Sequence, residues 1–419
     1  MTSSASHYSS KVSVVRHQQV SSTALHSAAA PLVLFDPTVA AASFSATVKL
    51  LCSIALGAWA ARKRVNKTSV ATILDAPAIS ALSRLTYWVF QPAFLLCSVT
   101  KTFAMAAASS SSGSGSALSG AQLALMPLVA LFQIGVGALI GQLVTKKETD
   151  KEQGRIVSMC TTFGNSGPLP LLFADALFAR ANPAIQSQVV ACISFYLLAW
   201  SPLFWSFGKI ILGTSEKALV GQDNSLGAKL FRQLKQFLSP PVVGSLLGIL
   251  VGASSLRNIF LKGWLYPLFS AMQTLGTAYL PAALLVLAGS LASKTEKKED
   301  DESTSAEASG LTVKSLSKIA IARFLLAPCW GLTCLYGLGR LNLLGEAGSA
   351  ARAILSFVIL MEACMPPAQN SVILLQLAGF TQAASSMAKT LTVLYGGAVL
   401  PVTLLLSACL SISGITKFM

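Results

Sequence analysis

Charge is scarce in this chain: of 419 residues only 11% are Asp, Glu, Lys or Arg, against about 25% in an ordinary soluble domain. Histidine is nearly missing. His7, His17 and His26 all lie in the N-terminal tail, which excludes histidine-based catalysis or metal binding in the body of the chain. The eight cysteines contain no C-x-x-C pair and fall inside apolar runs. They read as small apolar side chains rather than as a disulfide framework or a zinc site. Nucleophile elbow, Gly-Lys phosphate loop and paired catalytic carboxylates are also missing. An embedded enzyme is therefore disfavoured, and neither a metal nor another cofactor is expected.

What remains is apolar. The composition is 53% hydrophobic, gathered in many runs of about 20 residues, the length that crosses a bilayer as a helix. The runs are continuous, without the dyad alternation of a transmembrane β-barrel. The chain reads as an all-α polytopic membrane protein whose surroundings are lipid. Its net charge of +15 sits in short loops between apolar spans. That placement suits orientation signals and lipid headgroups, not nucleic acid.

Ten spans are expected, at about 42–61, 76–100, 121–144, 155–178, 186–212, 239–255, 264–292, 316–338, 352–379 and 386–412. An interfacial turn around Asp75 and Pro77 opens the second. The tail, 1–38, is Ser-rich with no acid before Asp36, and reads equally as an organellar targeting segment or as a disordered tail. A first five-helix repeat covers 39–213, a connecting loop 214–236, and a second repeat 237–413 that includes a charged loop at 294–315. Residues 109–120 form a Ser/Gly linker. Basic residues favour one set of alternate loops roughly threefold, at every loop except the last. By the positive-inside rule both termini face away from the cytosol.

Two spans are interrupted by helix-incompatible residues, at Phe163-Gly164-Asn165-Ser166-Gly167-Pro168-Leu169-Pro170 and at Met365-Pro366-Pro367-Ala368-Gln369-Asn370. Proline lacks an N–H and clashes with the carbonyl four residues back. Other punctuation pairs the halves. Tyr196 precedes Pro202 by six as Tyr395 precedes Pro401, and Tyr87 to Ala93 matches Thr277 to Ala282. The pairs define a 5+5 repeat. With an odd number of spans in each copy, the second is inverted, and paired breaks in such repeats mark the binding site of a secondary transporter.

At each break a half-helix N-terminus offers positive partial charge and N–H donors to a carboxylate. Asn165, Gln369 and Asn370 add amides, Ser166 and Ser371 hydroxyls, and Gly167 allows close approach. Pro168, Pro170, Pro366 and Pro367 complete the expected substrate site. The plainer alternative is that the prolines are ordinary kinks and the amides interhelical glue.

FGNSGPLPLLFADALF and PPAQNSVILLQLAG resemble the two crossover segments of the auxin efflux carrier family, which includes the PIN-formed and PIN-likes carriers. LSRLTYWVFQPAFLLCSV is similar to that family's second helix and SPPVVGSLLGILVGA to its sixth, so the resemblance covers about 45–412. It implies ten helices, a scaffold and a transport domain, and elevator-like movement of an organic anion such as indole-3-acetate. It also implies that Asn165 with Pro168, and Pro366 with Asn370, shape the pocket. With only about 25 residues joining the halves, the chain resembles the short PIN-likes type, often found in the endoplasmic reticulum. The plasma membrane, or a plastid membrane given the tail, stays open, as does a homodimer through scaffold spans.

Three charged residues are candidates for ion coupling: Glu362 one turn before the second break, Asp175 after the first, and Arg323 in the eighth span. Asp175 reads first as a solvated helix end, and Arg323 as snorkelling to the headgroups or else pairing with Glu362. Lys49 and Arg84 read as snorkelling, while Gln91 and Gln376 stay ambiguous. The competing functions are an organic-anion carrier, a sodium- or proton-coupled symporter of the bile-acid or dicarboxylate kind, and a receptor that binds without transport.

Overall fold

A computed structural model describes residues 37–63, 72–111, 118–146, 148, 150–214, 238–292 and 311–418. Nearly all of the targeting or disordered tail, half of the Ser/Gly linker, nearly all of the connection between the halves and most of the charged loop lie outside these residues.

Every named element among them is helical: α1 (Pro37–Arg62), α2 (Ala76–Leu85), α3 (Gln91–Ser111), α4 (Gly120–Thr145), α5 (Lys151–Thr162), α6 (Pro168–Phe178), α7 (Pro183–Ile211) and α8 (Pro240–Ala253). Then follow α9 (Leu256–Leu261), α10 (Tyr266–Thr277), α11 (Tyr279–Ala292), α12 (Val313–Ile321), α13 (Ala327–Arg340), α14 (Ala350–Ala363), α15 (Asn370–Leu377) and α16 (Thr381–Ser413). Among the described residues, five stretches are long and apolar enough to cross a membrane: Gly120–Thr145, Pro183–Ile211, Tyr266–Leu291, Val313–Arg340 and Thr381–Ser413.

Local chemistry sets the ends. Asp75 caps α2 by accepting from the Ala78 N–H at 2.9 Å, and Ser119 with Gln122 forms a capping box at the start of α4; each satisfies orphan N–H groups. Two π-helical turns, Thr86–Phe90 and Ala322–Leu326, join α2 to α3 and α12 to α13. Each is followed two residues later by a proline, Pro92 or Pro328, whose missing N–H disturbs the i→i−4 ladder. The expected seventh span is divided at Ala278 into α10 and α11, ahead of Pro281.

Small residues set the closest packing. Gly244, Gly248 and Gly252 lie four apart along α8, against α3. A β-carbon at Gly248 would stand 2.8 Å from the Val99 β-carbon and 2.9 Å from the Leu96 carbonyl oxygen, and one at Gly252 2.7 Å from the Phe103 β-carbon. Such stripes let helix backbones touch where lipid gives no hydrophobic drive. Gly137 does the same for α4, seating it on the end of α5: a β-carbon there would meet the Thr161 and Thr162 carbonyl oxygens at 2.9 Å.

Candidate functional site

Helix α5 stops at Thr162 and α14 at Ala363, and the chain resumes as helix only at Pro168 and Asn370. The unwound segments lie against each other, antiparallel, with Gly164 bridged to Pro367. The Asn165 N–H donates to the Pro366 carbonyl at 2.7 Å, and the Ala368 N–H to the Phe163 carbonyl at 3.0 Å. Each break thus satisfies backbone groups that the other has lost from its helix, which buried backbone requires.

The prolines divide the labour differently from expectation. Pro366 and Pro367 lie within the unwound stretch, whereas Pro168 and Pro170 stand in the first turn of α6. There a missing N–H costs no helical bond and the fixed φ suits the helix. The unwinding precedes them, at Phe163 to Gly167. The two prolines also remove two of the N–H groups this half-helix would otherwise offer to an anion.

Side chains knit the crossing. Asn165 Nδ2 donates to the Tyr395 hydroxyl at 2.9 Å, which donates to the Pro367 carbonyl at 2.7 Å. Asn370 Nδ2 donates to the Tyr279 hydroxyl at 2.7 Å, and the Tyr279 ring stacks on Phe94 with centroids 5.4 Å apart. Ser371 Oγ donates back to the Ala368 carbonyl, and Ser166 Oγ reaches the Gly164 carbonyl at 3.5 Å. Asn165, Ser166, Gln369, Asn370 and Ser371 are all buried.

Arg323 overturns the snorkelling expectation. It is 6% exposed and turns inward from the π-helical turn. Its Nε and Nη2 both donate to the Met365 carbonyl, at 3.0 and 2.6 Å, and Nη1 reaches the Thr161 carbonyl at 3.5 Å. The guanidinium so sits at the C-terminal ends of both broken half-helices, where free carbonyls carry negative partial charge. It packs on Gly164, where a β-carbon would collide with it. Pairing with Glu362 is not seen. Glu362 is 1% exposed, and among the described residues neither carboxylate oxygen has a hydrogen-bond partner. It shares a cavity of about 20 Å³ with Gln133, Ser166, Tyr196 and Arg323. Asp175 is exposed on α6 and accepts from Gln186 Nε2 at 3.3 Å, apart from this cavity.

Beside the crossing opens a larger cavity, about 430 Å³, walled by Phe94, Cys97, Ser98, Pro168, Leu171 and Tyr279 and flanked by Lys101, Asp175 and Gln273. Sequence reading named Pro168 and Asp175 of this lining and missed the rest. Its residues come from α3, α6, α10 and α11, and no local pattern links them. Lys101, a lone cation within the long apolar helix α3, was the available signal.

A family model described as "Membrane transport protein" matches residues 42–406. Among curated proteins, the chain is similar to Protein PIN-LIKES 1 of Arabidopsis thaliana, 22% identical over 374 residues that span 79% of this chain and 71% of that protein. It is also similar to Protein PIN-LIKES 7 of the same plant, 22% identical over 382 residues, 79% of this chain and 88% of the relative.

Proposed function

The chain belongs to the membrane transport protein family, that of the auxin efflux carriers, and from this premise we propose that it carries a small organic anion such as indole-3-acetate. In this reading ten spans form two inverted five-helix repeats, and the crossing with its flanking cavity moves against α1, α3, α8 and α10–α11 in an elevator-like step. Asn165, Ser166, Gly167, Pro168, Pro170, Pro366, Pro367, Gln369 and Asn370 line the path of the cargo.

One observation carries the reading: buried polar atoms at the second break lack partners. Gln369 Nε2 and Oε1 and Asn370 Oδ1 make no hydrogen bond among the described residues, whereas Asn165 Nδ2 and Asn370 Nδ2 are paired. Leaving a buried polar atom unpaired costs about 1–3 kcal/mol, and a ligand that pairs it recovers that cost. The neighbouring 430 Å³ cavity lies within the roughly 300–1,000 Å³ range of small-molecule sites. Lys101 flanks this cavity from within α3, at the end of the expected second span, whose following loop belongs to the set poor in basic residues. The wider cavity would then face away from the cytosol, toward the lumen if the membrane is that of the endoplasmic reticulum.

Efflux of labelled indole-3-acetate from vesicles tests the proposal. Wild-type flux above empty vesicles is expected, with Asn165→Ala and Asn370→Ala each reducing it at least tenfold. Wild-type rates in both inserted variants would place the site elsewhere.

A cation-coupled symporter is the second reading, favoured by the unpartnered carboxylate of Glu362 in a cavity large enough for one water or ion. Sodium dependence of flux separates the two.

A further inference from the structure

Helices α1, α6 and α11 enclose a groove of about 290 Å³ away from the crossing. Lys49, Ser53 and Leu56 face it from α1, spaced four and three apart along one helical stripe. Leu172 of α6 and Leu280, Leu284 and Leu285 of α11 make its apolar walls. Among the described lining residues Lys49 alone is charged.

Lys49 is out of place for a snorkelling lysine. It is exposed and stands near the middle of α1, about 18–20 Å from either end at a rise of 1.5 Å per residue. No lysine side chain carries its ammonium that far. Among the described residues no carboxylate pairs with it. A cation within a span is costly and calls for a counter-charge, and here the protein supplies none.

The groove is shut at one end and continuous with the larger cavity at the other. A β-carbon at Gly57 would stand 2.5 Å from the Ala288 β-carbon, so α1 and α11 meet directly beyond Leu56. Leu172 and Leu280, both half-buried, line the groove and also the 430 Å³ cavity. An apolar chain that starts beside Lys49 is therefore led along these two leucines toward the crossing.

We propose that the groove binds the anion of a long-chain fatty acid, with the carboxylate at Lys49 and the chain between α6 and α11. One cation matches one carboxylate. A diacyl phospholipid fits less well, because its phosphate stays at the membrane surface and its second chain has no groove. The site itself stands on the groove and Lys49 alone. Its consequence rests on the carrier reading: α6 belongs to the moving unit and α1 and α11 to the stationary one, so a chain wedged between them holds the two together and inhibits transport.

The purified protein in phosphatidylcholine vesicles tests both parts. Stearic acid carrying a nitroxide near its chain end, and the methyl ester of the same molecule, are followed by electron spin resonance. The acid is expected to show a larger motionally restricted fraction than the ester. Lys49→Gln should weaken association of the acid about tenfold, the scale of one hydrogen bond to a charged group, while Lys49→Arg keeps it. Equal restriction of acid and ester in the wild type, or an unchanged acid in Lys49→Gln, overturns the site. Restriction of spin-labelled phosphatidylglycerol that is lost in Lys49→Gln would give the groove to a lipid headgroup, and also overturns it. In flux measurements, oleate should inhibit wild-type transport of indole-3-acetate, with about tenfold more needed in Lys49→Gln. Equal inhibition of both proteins removes the wedge and leaves the carrier reading standing. Absent wild-type flux removes the carrier reading and the wedge, and the spin-label result still decides the site.

Discussion

The carbonyl oxygen of Met365 receives two hydrogen bonds from the guanidinium of Arg323, at 3.0 and 2.6 Å. Residue 365 stands in the unwound second break and residue 323 in a π-helical turn, so an irregular turn of one span anchors the broken stretch of another. Lysine cannot reproduce this planar fork. Arg323→Lys is expected to lower stability by about 2–3 kcal/mol, the scale of a buried charge left imperfectly paired. Thermal unfolding in detergent checks it; an unchanged midpoint would show that the fork is not needed.

Tyr395 ties the breaks together from the opposite side. Its hydroxyl accepts from Asn165 and donates to the Pro367 carbonyl. Tyr395→Phe keeps the ring and leaves two buried groups unpaired, for an expected loss of about 1–3 kcal/mol. Transport should fall along with the unfolding midpoint. A phenylalanine variant with full stability and full flux would contradict this role.

The glycine stripe of α8 makes a purely steric prediction. Gly248→Leu drives a side chain into α3 and should cost about 1–3 kcal/mol or more by overpacking. Gly337→Leu on α13 is the control, because a β-carbon there meets nothing within 4 Å. Size-exclusion profiles and melting curves of the two proteins should diverge. Matching behaviour would mean that α3 and α8 are not held this closely.

For Glu362 the coupled reading predicts that wild-type flux responds to a sodium gradient or to a pH gradient. Glu362→Gln keeps the shape and removes the charge, and should abolish that response while flux driven by membrane potential persists. A gradient response that survives in Glu362→Gln would remove this carboxylate from any coupling step.

The two unwound segments of the candidate site were legible in the sequence because backbone chemistry is local. Gly164 and Gly167 are weak helix formers, and Pro366 and Pro367 in tandem remove two N–H groups, so these clusters favour unwinding, whereas single prolines such as Pro202 sit inside an unbroken helix. Locality also explains the misreading of Pro168 and Pro170: proline stops a helix arriving from its N-terminal side but opens one leaving toward its C-terminus, and composition alone does not say which. Arg323 was misread because its partners are backbone carbonyls, at Met365 and Thr161, far along the chain and without a residue signature.

The central claim is that cargo sits where the two unwound segments cross. The most direct measurement is photolabelling of the purified protein with an azido derivative of indole-3-acetate, followed by peptide mapping. The account predicts adducts in peptides carrying residues 163–170, 365–371 and 94–101, all suppressed by excess unlabelled indole-3-acetate. Suppressible adducts confined to other helices would contradict it.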